Sequence, residues 1–201
     1  MGFSQGGWAS AGVQKALEQN NTTGLTLKGT ACVAGAYFLK EISLKYAIAN
    51  KSTLYLGYVA NAYSTVYGQD ISTILKPDYV KLIPTLFDGN KDVDFVVDAL
   101  PKDPSDLYKP EMIDAINHNK NNWFTMALGQ NGAYNWKLIS KARLFYGAKD
   151  TDVSPEDAIK TYNYVKNLGG NVELVNLGDF DHTETFLNAL PEIQKWFNNS
   201  K

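Results

Sequence analysis

Three residues of the chain, Ser4, Asp150 and His182, are of the types that together activate a hydroxyl group for attack on a carbonyl carbon. A serine hydroxyl is a poor nucleophile at neutral pH and needs an imidazole within hydrogen-bond reach to accept its proton. A carboxylate that accepts the other ring N–H holds the imidazole in the required tautomer and stabilises the imidazolium. We therefore interpret Ser4 as the nucleophile, His182 as its base and Asp150 as the acid. Asp152, on the same short loop, is the alternative acid.

Ser4 is the centre of Gly2-Phe3-Ser4-Gln5-Gly6, a G-x-S-x-G pentapeptide. This pattern is typical of a nucleophile elbow, a sharp turn from a strand into a helix that exposes the serine hydroxyl. In an elbow, the backbone N–H of the next residue, here Gln5, is one of the donors that bind the oxyanion formed during the reaction. Only Met1 precedes Gly2, so we expect the chain to be the C-terminal part of a longer protein. The entering strand and a second oxyanion donor would belong to the rest of that protein.

The surrounding sequence predicts the strands and helices that must position these residues. Runs rich in β-forming residues predict strands over residues 25–35, 142–147 and 171–177. A helix is expected from the pentapeptide to the polar pair Asn20-Asn21, and another from Ser154-Pro155 to Gly169-Gly170. A last helix follows a loop that contains His182. Asp150 and His182 thus each follow a strand, at the edge of the sheet where the elbow is expected.

Hydrophobic spacing predicts which faces of the first and last helices are buried. For the first helix the predicted apolar face consists of Trp8, Ala9, Gly12, Val13, Ala16 and Leu17. For the last helix it consists of Phe186, Leu190, Ile193 and Trp196.

Residues 36–140 interrupt the alternation with a helical, aromatic segment that several prolines divide. Pro77 and Pro110 suit first helical turns and predict helices over Asp78 to Phe87 and Glu111 to Asn117. The pattern predicts a helical cap inserted between two core segments, residues 1–35 and 141–201. Its aromatic residues are Tyr55, Tyr58, Tyr63, Tyr67, Phe87, Phe95, Tyr108, Trp123, Phe124, Tyr134 and Trp136. They would line a substrate pocket or pack the cap onto the main domain, and both interpretations stay open.

Composition limits the classes of partner. The 201 residues carry a formal net charge of −2, with acidic and basic residues mixed along the chain, so there is no basic stripe for nucleic acid or an anionic membrane. No apolar run reaches the roughly 20 residues that span a bilayer. The single cysteine, Cys32, lies in an apolar run, which favours burial as a small hydrophobic residue and excludes an internal disulfide. His118, in a polar stretch, is predicted to be an exposed side chain.

The motifs resemble those of α/β-hydrolases of the bacterial secretory lipase or esterase-like group, which is also described as prolyl oligopeptidase-like. Residues 2–8 resemble the elbow of that group, residues 146–155 its acid loop, and Asp181-His182 its histidine loop. The order serine, acid, histidine along the chain is that of α/β-hydrolase triads. The resemblance covers nearly the whole chain. It implies an α/β fold that is the C-terminal half of an α/β-hydrolase, a partial parallel sheet with flanking helices and an inserted helical cap.

The resemblance also implies a function. It implies hydrolysis of a small-molecule or lipid ester through an acyl-enzyme on Ser4, with Asp150 and His182 in the roles given above and no metal ion or organic cofactor. It implies an extracytoplasmic location and, as partner, the missing N-terminal half of the hydrolase, without which we expect poor activity. A serine peptidase of prolyl oligopeptidase type and a non-catalytic binding domain derived from a hydrolase are the alternatives.

Overall fold

The structure, a computed structural model, describes residues 1–20 and 24–199, so the predicted helix stop at Asn21 lies outside the described residues. The chain divides into two compact units. The sheet unit comprises Met1–Ser43 and Gly132–Lys201, and the helical unit comprises Leu44–Asn131. In chain order the α-helices of the described residues are α1 (Gln5–Gln19), α2 (Leu44–Ala49), α3 (Thr53–Tyr67), α4 (Pro77–Val80), α5 (Leu82–Leu86), α6 (Val93–Ala99), α7 (Pro104–Leu107), α8 (Pro110–Asn117), α9 (Trp123–Gln130), α10 (Pro155–Asn167) and α11 (His182–Asn198).

The sheet unit is built on parallel strands in the spatial order β1-β2-β3-β4. The strands are β1 (Gly2–Phe3), β2 (Gly29–Val33), β3 (Lys141–Tyr146) and β4 (Val172–Asn176). The register pairs Phe3 with Val33, Val33 with Phe145 and Phe145 with Val175, so the carboxyl ends of the strands lie at one edge. The three predicted strands are confirmed, β2 and β4 with shorter bounds and β3 shifted by one residue, and the α/β fold with a partial parallel sheet is confirmed with them.

Helices cover both faces of this sheet. On one face, α1 and α10 pack on a core that includes Cys32, Leu144 and Val172. On the other face, α11 packs on a core that includes Val33 and Phe145. Successive side chains of a strand point to opposite faces, so β2 contributes to both cores, as a buried strand of a parallel sheet must.

The predicted apolar face of α1 is wrong. Of the residues expected to be buried, Ala9, Gly12, Val13 and Ala16 are exposed, and Val13 retains 58% of its accessible surface. The buried residues of α1 are Gly7, Ala11 and Gln14. Gln14 can be buried because its amide donates to the Ser140 carbonyl, at 3.2 Å, and to Glu18, at 2.9 Å. A hydrogen bond to a residue so distant in the sequence satisfies a polar side chain that hydrophobic spacing alone assigns to solvent.

Of the two later helices of the sheet unit, α10 begins where the sequence predicted, whereas α11 begins at His182, which the sequence placed in the preceding loop. Ser154 caps α10 by accepting the Glu156 N–H at 3.2 Å, and Gly169, with φ of 72°, follows the end of that helix. In α11, Ile193 and Trp196 are buried as predicted, whereas Leu190 is exposed and Thr185 and Ala189 are buried in its place.

Cys32 is fully buried in β2, which confirms the prediction from its apolar surroundings. Its sulfur lies 3.1 Å from the Tyr134 hydroxyl. Burial raises the pKa of the thiol to about 11, because the thiolate would lose its hydration. The thiol therefore acts as a core group.

The helical unit contains α2 to α9 and, among its described pairings, one isolated antiparallel bridge between Leu75 and Tyr108. The single helix predicted after Pro77 is two short helices, α4 and α5. The break at Lys81 has a local cause, because Pro84 lacks an N–H and its ring would clash with the Val80 carbonyl four residues earlier. The helix at Pro110 is confirmed as α8.

Two of the aromatic residues assigned to the cap, Tyr134 and Trp136, belong to the sheet unit. No helix of the described residues combines the length and the apolar character that crossing a membrane requires.

Candidate active site

The candidate residues all lie just beyond the carboxyl ends of the parallel strands. Ser4 follows β1, Asp150 follows β3 by four residues, and His182 follows β4 by six residues. Because these strand ends share one edge of the sheet, the topology gathers residues that are far apart in the sequence.

Ser4 sits in a strained turn between β1 and α1. Its backbone has φ 54° and ψ −123°, a conformation that non-glycine residues rarely adopt. The Ser4 N–H donates to the Val33 carbonyl at 2.8 Å, which continues the pairing with β2, and the Ser4 carbonyl accepts the N–H groups of Gly7 and Trp8. Although Ser4 stands at the N-cap of α1, its hydroxyl does not cap the helix. This geometry is that of an elbow that presents a hydroxyl instead of using it to end a helix.

The glycines of the pentapeptide have unequal structural roles. A Cβ atom on Gly2 would overlap the Gly6 carbonyl and lie 2.5 Å from the Ser10 hydroxyl, so the turn closes only with glycine at that position. A Cβ atom on Gly6 would meet no atom within 4 Å. The close approach of α1 to the segment after β2 depends on Gly7, since a Cβ atom there would lie 3.1 Å from the Gly35 Cα.

Asp150 is buried, with 3% of its surface exposed, and both of its carboxylate oxygens accept hydrogen bonds. Oδ1 accepts the backbone N–H groups of Asp152 and Val153, each at 2.9 Å. Oδ2 lies 2.7 Å from Nδ1 of His182. The structure thus brings Asp150 to the imidazole, whereas Asp152 contributes its backbone to the acid loop. A carboxylate beside Nδ1 favours the tautomer that carries its proton there and leaves Nε2 as an acceptor.

His182 is the first residue of α11, whereas the sequence placed it in the preceding loop. Asp181 caps the helix by accepting the Glu184 N–H at 2.8 Å, and the Glu184 carboxylate accepts the Asp181 N–H at 3.1 Å. This capping box fixes the backbone from which the imidazole projects. The pattern Asp181-x-x-Glu184 is visible in the sequence and could have placed the helix start at His182.

Backbone hydrogen bonds join the loop after β3, which carries Asp150, to the loop after β4, which leads to His182; these are the acid loop and the histidine loop. Ala148 and Lys149 donate their N–H groups to the carbonyls of Gly178, at 2.8 Å, and Phe180, at 3.1 Å. A Cβ atom on Gly147 would overlap the Phe180 carbonyl and the Thr185 hydroxyl, so this close packing requires glycine. The distance between Asp150 and His182 is therefore set by backbone contacts as well as by their own hydrogen bond.

Phe3 connects the imidazole with the elbow. Its ring centroid lies 4.5 Å from that of His182 and 4.6 Å from that of Phe186, which is stacked on it. Because Phe3 immediately precedes Ser4, this packing holds the imidazole beside the turn that carries the hydroxyl. Sequence reasoning treated Phe3 only as a variable position of the pentapeptide. Within residues 1–20 and 24–199, no hydrogen bond joins the side chains of Ser4 and His182. In serine hydrolases the bond between serine and histidine is often long until substrate binds.

Gln5 is the first residue of α1. Backbone N–H groups of a first helical turn point out of the N-terminal end of the helix, where they favour negative charge. The position is therefore suitable for a donor to an oxyanion.

The second histidine of the chain, His118, belongs to the helical unit and not to the sheet unit that carries this site. His118 is exposed, as predicted, and lies in the helical unit beside Asp114, with its Nδ1 2.9 Å from Oδ1 of that residue. Within residues 1–20 and 24–199, no group of three or more His, Cys, Asp or Glu side chains is arranged to hold a metal ion.

Neither a protein-family model nor a curated protein sequence matches the chain. Solved structures do match. A candidate hydrolase from Legionella pneumophila superposes with a TM-score of 0.90 at 24% identity, over 99% of this chain and 55% of that protein. The rice cell wall degrading esterase LipA from Xanthomonas oryzae superposes with a TM-score of 0.81 at 21% identity, over 94% of this chain and 53% of that protein.

The chain spans about half the length of the solved structures that it matches. At these identities the likeness concerns the fold. Together with the parallel sheet and its flanking helices, it shows that the chain shares its fold with these structures.

Proposed function

We propose that the chain carries the catalytic residues of a serine hydrolase that acts on carboxylic esters through an acyl-enzyme. The observation that carries this proposal is the buried hydrogen bond of 2.7 Å between His182 and Asp150, held by Phe3 beside the strained turn of Ser4. A buried carboxylate, an oriented imidazole and a partly exposed serine at a strained turn are the groups that acyl transfer requires.

In the proposed reaction, Nε2 of His182 accepts the Ser4 proton as the hydroxyl oxygen attacks the ester carbonyl. Asp150 stabilises the imidazolium that forms and keeps the proton of Nδ1 in place. The imidazolium then donates its Nε2 proton to the departing alcohol, which leaves an acyl group on Ser4. A water molecule, deprotonated by the same imidazole, attacks this acyl group and releases the acid.

The oxyanion of each tetrahedral intermediate would accept a hydrogen bond from the backbone N–H of Gln5. We expect the second donor in a part of the whole protein outside this chain, since the chain spans about half the length of its structural neighbours. Loss of one such donor typically lowers kcat by about 10² to 10³. The proposal therefore includes slow turnover by this chain alone, with the remaining half of the hydrolase as its partner.

The helical unit is, in this proposal, the cap of the hydrolase. The support is its position in the sequence, between the strands that precede and follow it in the sheet, and its helical composition. Inserted segments of this kind commonly set substrate specificity while the triad stays the same. The proposed substrate class is a small-molecule or lipid ester, and the extracytoplasmic location implied by the resemblance is part of the same proposal.

An ester is favoured over a peptide because one structural neighbour is described as an esterase. A serine peptidase would use the same triad, so it remains the second candidate within enzymes. A non-catalytic binding domain is the third reading, and it differs in requiring no activated serine.

Labelling with a serine-directed fluorophosphonate tests the proposal without requiring full turnover. We expect the chain to be labelled, Ser4→Ala to lose the label, and Ser105→Ala, which removes an exposed serine of the helical unit, to keep it. Labelling that persists in Ser4→Ala would refute the assignment of the nucleophile. A folded chain that takes no label would favour the binding domain.

The choice of acid is tested by comparing Asp150→Asn with Asp152→Asn. We expect the first to slow labelling by several orders of magnitude, on the scale of the roughly 10⁴-fold loss when a triad aspartate becomes asparagine. The second should leave most of the rate, because the Asp152 backbone and not its carboxylate serves Asp150. The opposite ranking would assign the role to Asp152. Turnover of p-nitrophenyl acetate against a p-nitroanilide then separates esterase from peptidase.

A further inference from the structure

The chain passes between the two units twice, after Ser43 and after Asn131. Within the sheet unit, the segments beside these two crossings meet at Tyr37. The Tyr37 carbonyl accepts the Ala133 N–H at 2.9 Å, and the Tyr37 ring centroid lies 5.5 Å from that of Tyr134. We call residues 37–43 the outgoing segment and residues 132–134 the returning segment. The two segments are therefore joined to each other at Tyr37.

The backbone of Tyr37 is in turn held by a carboxylate of α10. Asp157 is fully buried, and its Oδ1 accepts the N–H groups of Tyr37, at 3.0 Å, and Phe38, at 2.7 Å. Its Oδ2 accepts the Ser43 hydroxyl at 2.9 Å. One side chain thus binds both ends of the outgoing segment, including the last residue before the helical unit.

Other side chains on the same face of α10 also contact the outgoing segment. The Lys160 ammonium lies 4.6 Å from the centroid of the Phe38 ring, and the Tyr164 ring approaches it edge-on at 6.3 Å. Asp157, Lys160 and Tyr164 follow one another at intervals of three and four residues, which places them on one side of the helix. Several side chains of one face of α10 therefore contact the outgoing segment, in addition to the hydrogen bonds of Asp157.

The outgoing segment also has an unusual backbone. Leu39–Ser43 forms a π-helical turn in which the N–H groups of Ile42 and Ser43 both donate to the Phe38 carbonyl. π-Helical turns are rare in proteins, and those that occur are often found at functional sites. Asp157 holds this turn at its start, through Phe38, and at its end, through Ser43.

Burying a carboxylate is unfavourable unless donors compensate for its lost hydration. An apolar residue at this place on α10 would avoid that cost, so burial alone does not explain the aspartate. The donors that compensate all come from the outgoing segment. This points to a role in fixing that segment.

We infer that Asp157 is a positioning residue that fixes both connections of the helical unit to the sheet unit, the outgoing one directly and the returning one through Tyr37. The inference does not depend on hydrolysis. It states that loosening one connection at Asp157 loosens the other, although Ala133 does not touch Asp157.

Amide hydrogen exchange of the full chain, resolved by residue with NMR at pH 7, tests this coupling. In Asp157→Ala we expect protection of the Tyr37, Phe38 and Ala133 amides to fall about tenfold or more, because two lose a hydrogen bond to a charged group and the third depends on Tyr37. The amides of Leu144 and Leu174 in the sheet should change by less than threefold. Glu156→Gln, which removes an exposed carboxylate from the same helical turn, is the matched control and should change none of them.

Two results would overturn the inference. Unchanged protection at Ala133, with a fall at Tyr37 and Phe38, would mean that the connections are independent. An equal fall at Leu144 and Leu174 would mean that Asp157 stabilises the whole unit and positions nothing in particular.

Two milder variants keep the test decisive if Asp157→Ala does not fold. Asp157→Asn retains an oxygen that can accept both N–H groups and should keep most of the wild-type protection of the Tyr37 and Phe38 amides. Ser43→Ala removes one donor and should increase exchange of the backbone amide at position 43 by at least threefold without affecting Leu144. Failure of either expectation would overturn the positioning role.

Discussion

Replacing Asp157 with asparagine should change how the stability of the chain depends on pH. Burial raises the pKa of the Asp157 carboxyl to about 6, from an ordinary value of 3.8, although hydrogen bonds from Phe38, Ser43 and Tyr37 and the charge of Lys160 oppose the shift. The folded chain therefore binds this proton more tightly than the unfolded chain at pH values between about 4 and 6. The stability that this group contributes is fully present below about pH 4 and is lost as the pH rises through 6.

The size of the loss follows from the two pKa values. They differ by about two units, and each unit corresponds to about 1.4 kcal/mol, which gives about 3 kcal/mol in total, of which about 2 kcal/mol is lost between pH 4 and pH 7. Asparagine does not ionise, and its carbonyl oxygen can accept the same two N–H groups. We therefore expect the unfolding free energy of Asp157→Asn, minus that of the wild type, to rise by about 2 kcal/mol from pH 4 to pH 7.

Urea unfolding followed by circular dichroism at pH 4, 5, 6 and 7 measures this difference. Subtraction of the wild-type value at each pH removes the contribution of the other titrating groups. Glu156→Gln, measured in the same way, controls for the loss of one negative charge from the same turn. A difference that stays constant with pH would refute the reasoning, and one that falls would mean that hydrogen bonding outweighs burial at Asp157.

Three further substitutions or reactions test the packing. Gly147→Ala would press a methyl group against the Phe180 carbonyl and the Thr185 hydroxyl, so urea unfolding should show a loss of about 1–3 kcal/mol and fluorophosphonate labelling should slow; no change in either would contradict the contact between the acid and histidine loops. Gly12→Ala adds a methyl group to open space on the exposed face of α1 and should raise stability by about 1 kcal/mol, whereas a loss would mean that this face is covered. Cys32 should resist a thiol reagent at pH 8 in the folded chain and react fully in urea, since burial raises the pKa of its thiol to about 11; rapid reaction before urea is added would show that it is accessible.

Strands β2 to β4 and the start of α10 could be predicted because their signals are local. A serine followed by a proline caps α10, and short runs of β-forming residues between turn formers mark β3 and β4. The broken helix at Lys81 was also within reach, because the effect of Pro84 on the preceding turn depends only on neighbours in the sequence.

The sequence predicted the candidate site only in part. The types and order of Ser4, Asp150 and His182 suggested them as a group. Their arrangement depends on contacts between segments that are distant in the sequence, such as the ring of Phe3 on His182 and the approach of the histidine loop to Gly147. Neither contact leaves a periodic pattern.

By itself, the sequence determined an alternating α/β chain with an inserted helical segment, a G-x-S-x-G pentapeptide and the residues that could serve it. Only the tertiary structure decided which face of α1 is buried, why Gly2 and not Gly6 is required, and that Asp157 is held in the core by the segment after β2. The physical reason is the range of the interactions. Caps, turns and strand propensity act over a few residues, whereas burial of a polar side chain depends on donors and acceptors that only the folded chain brings to it.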